Sequence, residues 1–397
     1  MQKSKIEQLH LIRAIAMIGV VLTHAKFVLW SGGEAYLAKY PTATWHPTDY
    51  PLFFTDLISS LGEQRVYLFF ILSGFFIQYS VRHGFSLPAF LRKRLLRIYP
   101  AYVVSALLAG LALYVAVKVI SPAIYTEHLR ELNSRLVSSY QGLTVSSLLH
   151  TLFFTNDGEY FGLTIQYWSL KHEMLFYALF PFYVLCSFRG QLGLLGLGLG
   201  LAAFTTNSLV FCQLFFLIGM LFYQLFERGI QLPGTWPAWA YCTAFGSLYL
   251  SIYLLNKLQY KYTSSLLTVV LAFLALEFLL TRPVRVPRFL TWLSTISYSV
   301  YLNHFWGLLL YYAVLSRLSG ELVFYSRWPY YTGAIVAVLC SLPGYYLLEK
   351  PIVAYLRRSG RQGQAPTITH ENTTGLPKLQ LLQSAAQIVR VAVAEKA

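Results

Sequence analysis

The chain has 397 residues, of which 56% are hydrophobic and only 12% are charged. Soluble globular proteins contain roughly 25% charged residues, so this composition excludes an ordinary water-soluble domain. Apolar segments close to the roughly 20 residues that span a bilayer recur from Leu11 to Leu348, and they predict an all-α, polytopic membrane helix bundle.

The formal net charge of +15 first suggests a nucleic-acid partner. The basic residues, however, cluster between apolar segments, as the positive-inside rule expects of a membrane protein. We therefore predict the lipid bilayer as the surroundings and no nucleic-acid partner. The four cysteines lie within apolar segments without a CxxC spacing, so neither a disulfide framework nor a metal site is predicted.

Ten membrane spans fit the apolar pattern. They are predicted at 11–30, 66–80, 98–118, 163–187, 191–208, 210–226, 236–255, 263–280, 290–312 and 330–348. With the N-terminus in the cytoplasm, 17 Lys and Arg residues fall in cytoplasmic segments and 8 in the opposite ones, which predicts both termini in the cytoplasm. We expect a transmembrane domain at 1–356 and a polar, flexible cytoplasmic tail at 357–397.

The first span contains two ionisable residues, Arg13 and His24. Their spacing of eleven residues brings them within roughly 20° of each other on a helix and about 16 Å apart along its axis. Such residues inside a span usually face a cavity or a partner. An elongated molecule with an anionic head and a reactive tip could lie along this face. Alternatively, Arg13 reaches the cytoplasmic interface and His24 binds a neighbouring carbonyl.

A basic segment, which includes Arg92, leads from the second span into the third. Within it, Arg94 and Arg97 are i,i+3 neighbours on a helix. Guanidinium groups bind phosphate bidentately, so this pair is a candidate phosphate site. Ordinary positive-inside anchoring is the alternative.

The fourth and ninth spans also contain ionisable residues. Glu173 in the fourth needs a partner, which Lys171 or His172 could supply locally, or the charged residues of the first span across the bundle. Trp168, at the end of the fourth span, also suits an interfacial aromatic belt. His304 in the ninth span could be a functional residue or a histidine whose hydrogen bonds are satisfied inside the bundle.

In chain order these segments resemble the membrane acyltransferase 3 family, integral-membrane enzymes that acylate sugars and related acceptors. Six stretches are similar to family motifs: Leu9 to Ala16 with His24, Leu68 to Phe75, Arg94 to Pro100, Trp168 to Glu173, Ser297 to His304, and Glu349 to Pro351. Each match is weak in apolar sequence, but six in the same order are specific. The chain departs from the family pattern at His10, Ala14 and Arg65, among others.

The resemblance implies an acyl-CoA donor, with acetyl-CoA as the first expectation, that enters from the cytoplasm. Its phosphates would bind Arg94 and Arg97, together with Arg92. His24 would act as the general base on an acceptor hydroxyl or would carry the acyl group transiently. Arg13 would orient the donor, and Glu173 would hold the histidine tautomer or an arginine.

The resemblance further implies a carbohydrate acceptor, such as an exopolysaccharide or a lipid-linked glycan. Trp168, Tyr298 and His304 are the expected substrate contacts, and no metal is expected. The expected location is the bacterial cytoplasmic membrane, with polysaccharide-synthesis machinery as a possible partner. The family also has members with an additional C-terminal domain, and we expect the stand-alone form here.

Two other functions are compatible with the residues. A transporter or flippase for a sugar-containing or lipid-linked substrate would suit ten spans with intramembrane charges. Such proteins usually show a repeat that relates two halves, and none is visible here. A scaffold or sensor would leave the deep arginine and histidine unexplained.

Overall fold

The computed structural model describes residues 3–47, 50–126, 131–156, 158, 160–204, 208–230 and 236–362. Within these ranges the chain is helical without a β-strand. Ten long helices and one shorter C-terminal helix form the bundle: α1 (His10–Leu29), α2 (Gly62–Ser80), α3 (Leu87–Tyr114), α4 (Tyr167–Leu185), α5 (Phe188–Phe204), α6 (Ser208–Glu227), α7 (Ala238–Lys257), α8 (Lys261–Thr281), α9 (Arg288–Ser319), α10 (Arg327–Gly344) and α11 (Lys350–Gln362). The predicted all-α membrane bundle is confirmed.

Shorter elements fill the connections. They are the helices Lys3–Gln8, Gly33–Lys39, Tyr50–Ser59, Ala123–Thr126, Glu131–Gln141 and Val145–Leu152, and the 3₁₀ turn Thr42–Thr44. Two π-helical turns, Val115–Ile120 and Tyr345–Glu349, extend α3 and α10. Gly320 ends α9 with a φ of 72°, in the left-handed region that glycine adopts at low cost.

Among the described residues, six helices are long and apolar enough to cross a membrane. They are α1, α3 with its π-helical turn, α6, α7, α8, and α10 continued into α11. The remaining four long helices, α2, α4, α5 and α9, coincide with predicted spans but do not meet that criterion. Ten spans and cytoplasmic termini therefore stay predictions. α11 crosses the predicted domain boundary at 357, and residues 363–397 of the predicted tail lie outside the described residues.

Two apolar clusters form the core, and α1 contributes to both. In the first cluster, Phe216 of α6 stacks on Phe70 of α2 and on Phe176 of α4, with ring centroids 4.4 and 4.3 Å apart. The second cluster is built mainly from α1, α9 and α10. Val20 belongs to the first cluster and Val21 to the second, so α1 lies between them. The polar residues of α1 are accordingly half-buried in the bundle.

The contact between α2 and α6 depends on two glycines. A Cβ atom on Gly74 would lie 2.0 Å from the carbonyl oxygen of Phe216, and one on Gly219 would lie 2.0 Å from that of Ile71. Lipid offers little hydrophobic driving force between helices, so small residues that permit close backbone approach stabilise such contacts. This close approach fixes α2, including Ser73, against the rest of the bundle.

Candidate active site

A cavity of about 440 Å³ opens between α1, α2, α3, α4, α9 and α11. Its described lining contains five cationic side chains and one carboxylate. The cations are Arg13, Lys93, Arg94, Arg97 and Arg357, and the carboxylate is Glu173. Because the cations outnumber the carboxylate, the cavity suits an anion with several negative charges.

The carboxylate of Glu173 contacts two hydroxyl groups. The hydroxyl of Tyr177, one turn further along α4, donates a hydrogen bond to Oε1, and the Oγ of Ser73 lies 3.4 Å from the same atom. The carboxylate is also close enough to Arg13 and Arg94 for their charges to interact. Glu173 therefore has one partner on its own helix, Tyr177, and others across the bundle.

The two local partners predicted for Glu173 lie elsewhere. The Nζ of Lys171 donates to the carbonyl oxygen of Asn156 at 3.2 Å, and the ring of His172 packs edge-on against Trp168 at a centroid distance of 5.6 Å. Adjacent helical residues project about 100° apart, so neither side chain shares the face of Glu173.

Arg94 lies between aromatic rings in the wall of the cavity. Its guanidinium carbon is 5.4 Å from the ring centroid of Phe90 and 5.3 Å from that of Tyr177, within the range of cation–π attraction. Its Nε atom is buried and has no hydrogen-bond partner among the described residues.

His24 and His304 form a hydrogen-bonded pair. The Nδ1 of His24 lies 2.7 Å from the Nε2 of His304, and the Nδ1 of His304 lies 2.8 Å from the carbonyl oxygen of Val300. A carbonyl oxygen only accepts, so the Nδ1 of His304 has the proton and its Nε2 is an acceptor when the ring is neutral. The Nδ1 of His24 then donates, which assigns the lone pair to its Nε2. In this tautomer the Nε2 of His24 can accept a proton.

The charged cavity ends close to this histidine pair. Tyr301 lines the cavity, and its ring centroid is 6.2 Å from that of His304. The hydroxyl of Tyr301 donates to the carbonyl oxygen of Gln166 at 2.7 Å and contacts Ser169. These bonds hold the Tyr301 ring in place beside His304.

A second cavity, of about 430 Å³, borders the other end of α1. Its lining includes Thr23, which precedes His24, together with Lys26, Lys257 and Lys261. Because Thr23 and Arg13 are ten residues apart, the two cavities border α1 at points separated by about 15 Å along the helix axis. The second cavity therefore borders α1 at the level of His24, whereas the charged cavity borders it near Arg13.

Arg65, where the chain departs from the family pattern, packs its side chain beside this second cavity. Its guanidinium lies 3.4 Å from both the Oγ1 of Thr23 and the hydroxyl of Tyr249. A Cβ on Gly19 would lie 1.9 Å from the Nε of Arg65, so the side chain occupies space that only glycine leaves open.

Most of the predicted site residues meet in two groups. Arg13, Glu173, Arg94, Arg97 and Tyr298 line the charged cavity. His24 and His304 form the pair described above. Tyr298 also donates from its hydroxyl to a carbonyl oxygen of α3 at 3.0 Å.

Two predicted residues, Arg92 and Trp168, belong neither to the described cavity lining nor to the histidine pair. Arg92 is exposed and donates to the hydroxyl of Tyr355 at 3.0 Å, because it projects about 200° away from Arg94 on α3. Trp168 packs edge-on against Phe70 and not into the cavity. His304, predicted as a substrate contact, is fully buried and binds His24.

Several lining residues were missed from the sequence. The described lining adds Ser73, Lys93, Tyr177, Tyr301, His10 and Arg357. Four of them stand one helical turn from a predicted residue: His10 from Arg13, Lys93 from Arg97, Tyr177 from Glu173, and Tyr301 from His304. Helical spacing could have found these four, whereas Arg357 depends on where α11 packs. The described residues contain no cluster of three or more metal-ligating side chains.

Comparison with known proteins gives two matches. The family model for the acyltransferase domain of the acyltransferase 3 type matches residues 6–346. The acyltransferase MdmB of Streptomyces mycarofaciens is 31% identical over 124 residues, which are 31% of this chain. The match covers 29% of that relative's length. No solved structure matches the chain.

Proposed function

The chain belongs to the membrane acyltransferase 3 family, and on that premise we propose that it transfers an acyl group from an acyl-CoA to a carbohydrate hydroxyl. Family membership supports acyl transfer as the reaction class. The observation that supports a specific mechanism best is the hydrogen bond between His24 and His304, which leaves a basic nitrogen on His24.

The charged cavity is the proposed donor site. Acyl-CoA has a diphosphate and a 3′-phosphate, and the guanidinium groups of Arg94 and Arg97 suit such oxygens. Arg13 lies farther in and would orient the donor. The pantetheine arm would extend past Tyr301 and place the thioester beside the histidine pair. We propose acetyl as the acyl group, the cytoplasm as the donor side and the bacterial cytoplasmic membrane as the location.

In the proposed reaction, Nε2 of His24 removes the proton from the acceptor hydroxyl as its oxygen attacks the thioester carbonyl carbon. The carbon–sulfur bond breaks, and the CoA thiolate takes the proton from His24 and leaves as the thiol. His304 accepts a hydrogen bond from the Nδ1 of His24 throughout, so it fixes the ring and stabilises the transient imidazolium. The products are the acyl ester and free CoA, and both histidines return to their starting forms.

A covalent route uses the same nitrogen. Nε2 of His24 would attack the thioester first and release the CoA thiolate. The acyl-imidazolium would then pass its acyl group to the hydroxyl, whose proton ends on the thiolate and gives free CoA. Purified protein incubated with radiolabelled acetyl-CoA without acceptor separates the routes. Label that stays on wild-type protein and is absent from His24→Ala supports the covalent intermediate, whereas an unlabelled but active protein supports direct transfer.

The acceptor would approach through the second cavity. Hydroxyl, amide and ammonium groups line it, and these hydrogen-bond readily to sugar hydroxyls. The proposed acceptors are an exopolysaccharide or a lipid-linked glycan, with polysaccharide-synthesis enzymes as partners. The donor would then reach the histidine pair from the charged cavity, and the acceptor would enter beside Thr23, next to His24.

The test is transfer of label from radiolabelled acetyl-CoA to candidate glycans by purified protein. His24→Ala should abolish the acylated product, while His83→Ala, which alters an exposed histidine in the loop after α2, should leave it unchanged. Size-exclusion chromatography in detergent verifies that both variants are folded. Product formation by His24→Ala at the wild-type rate would remove His24 from the mechanism, and substrate flux without acyl-CoA would favour the transporter hypothesis.

A further inference from the structure

The C-terminal helix α11 packs against the cavity that we assign to the donor, although it lies beyond the family match at 6–346. Two contacts fix its position. Glu349, just before α11, accepts hydrogen bonds at Oε2 from the backbone nitrogen of Ser299 at 3.2 Å and from its Oγ at 2.6 Å. Farther along, the hydroxyl of Tyr355 accepts from Arg92 at 3.0 Å. α11 is therefore bound to both α9 and α3.

This placement brings Arg357 to the cavity. The side chain is exposed, and it lies close enough to Lys93 for the two positive charges to interact. Arg94 and Arg97 line the same cavity but are only partly exposed. The cations thus form two tiers, an exposed one of Arg357 and Lys93 and a deeper one of Arg94 and Arg97.

The positive charges of Arg357 and Lys93 repel each other, so an anion that binds between them is attracted by both. The deeper tier suits the diphosphate, which joins the adenosine to the pantetheine arm. The 3′-phosphate is on the ribose, at the end of the donor that is farthest from the thioester. It is a monoester with about two negative charges at neutral pH. A donor that enters with its thioester first would therefore leave this group beside the exposed tier.

We propose that Arg357 binds the 3′-phosphate of the donor and makes the protein select acyl-CoA over its 3′-dephospho form. The proposal rests on the proposed acyl-CoA donor, and it adds a specificity residue from outside the family match. A guanidinium donates two parallel hydrogen bonds to a phosphate, a geometry that a single ammonium group lacks.

The experiment compares acetyl-CoA with 3′-dephospho-acetyl-CoA as donors for wild type and Arg357→Gln. Arg357→Gln should raise the KM for acetyl-CoA by about tenfold with little change in kcat, because one charge-assisted contact to phosphate is lost. The KM for the dephospho donor should not change, so the preference between donors should collapse. Arg357→Lys should recover part of it.

Arg358→Gln is the matched control, since Arg358 is the next residue of the same helix and is not part of the described cavity lining. It should keep the wild-type preference. Binding of CoA and 3′-dephospho-CoA, measured by calorimetry in detergent, gives the same comparison without turnover and confirms that each variant is folded.

The outcomes separate this proposal from the proposed function. Wild-type protein that neither binds nor uses either CoA species would overturn the acyl-CoA donor itself. Wild-type protein that prefers acetyl-CoA, with an equal preference in Arg357→Gln, would overturn only the role of Arg357. Loss of the preference in Arg358→Gln to the same extent would also overturn it, since the effect would then be one of general charge.

Discussion

The Nδ1 of His24 lies 2.7 Å from the Nε2 of His304, so two histidines that are 280 residues apart form one hydrogen-bonded unit. Their rings stack with centroids 4.9 Å apart and planes inclined by 20°. His304 is itself oriented by the carbonyl oxygen of Val300. The arrangement parallels a catalytic base and its orienting acceptor, with a neutral imidazole in place of a carboxylate.

Removal of the acceptor on His304 should impair catalysis more than it impairs folding. His304→Leu should lower kcat by about 100-fold, because His24 loses the partner that fixes its tautomer. In His304→Gln the side-chain oxygen can still accept from the Nδ1 of His24, so the loss should be no more than about tenfold. Steady-state kinetics with acetyl-CoA measures both.

The buried His172 is the control for the histidine pair. His172→Phe should keep near wild-type kcat, because its ring packs against Phe70 and Trp168 and belongs neither to the histidine pair nor to the described cavity lining. Equal losses in His304→Leu and His304→Gln would show that packing, and not the hydrogen bond, explains the effect.

Arg92 and Arg94 are two residues apart in the basic segment, but their substitutions should differ in their effect on donor binding. Arg94→Gln should raise the KM for acetyl-CoA by about 30-fold, because a half-buried guanidinium in the cavity lining is lost. Arg92→Gln should raise it by at most about fivefold, since an exposed hydrogen bond to Tyr355 contributes little. Similar KM values for the two variants would mean that only net charge matters there.

Glu173 should stabilise the empty cavity. Glu173→Gln can still accept from Tyr177 but no longer offsets the charges of Arg13 and Arg94, so the free energy of unfolding should fall by about 1–3 kcal/mol. Added CoA should restore more thermal stability to this variant than to wild type, because its phosphates neutralise the same cations. Thermal unfolding in detergent with and without CoA measures the difference, and an equal CoA effect in both proteins would contradict this role.

The glycine contact between α2 and α6 should be sensitive to a single methyl group. Gly74→Ala and Gly219→Ala should each lower the free energy of unfolding by about 1–3 kcal/mol, because the new Cβ meets backbone that cannot move independently. Gly246→Ala in α7 is the control. A Cβ there meets no atom within 4 Å, so stability should stay equal or rise through the higher helix propensity of alanine.

The sequence alone predicted the class of the protein and part of its site. Composition is sufficient for a membrane bundle, because a chain with 12% charged residues cannot cover a globule of this size in water. Helical periodicity is local, so the common face of Arg13 and His24 followed from their spacing. The likeness to the acyltransferase 3 family was visible in ordered motifs, and the family match confirms it.

What only the tertiary structure decided is which side chains meet. The pairing of His24 with His304, the contact of Ser73 with Glu173, and the approach of Arg357 all depend on how helices rotate and pack. Those rotations are set by contacts between distant segments, such as Gly74 against the backbone at Phe216. Local periodicity gives the face of one helix, but it contains no information on the helix that this face meets.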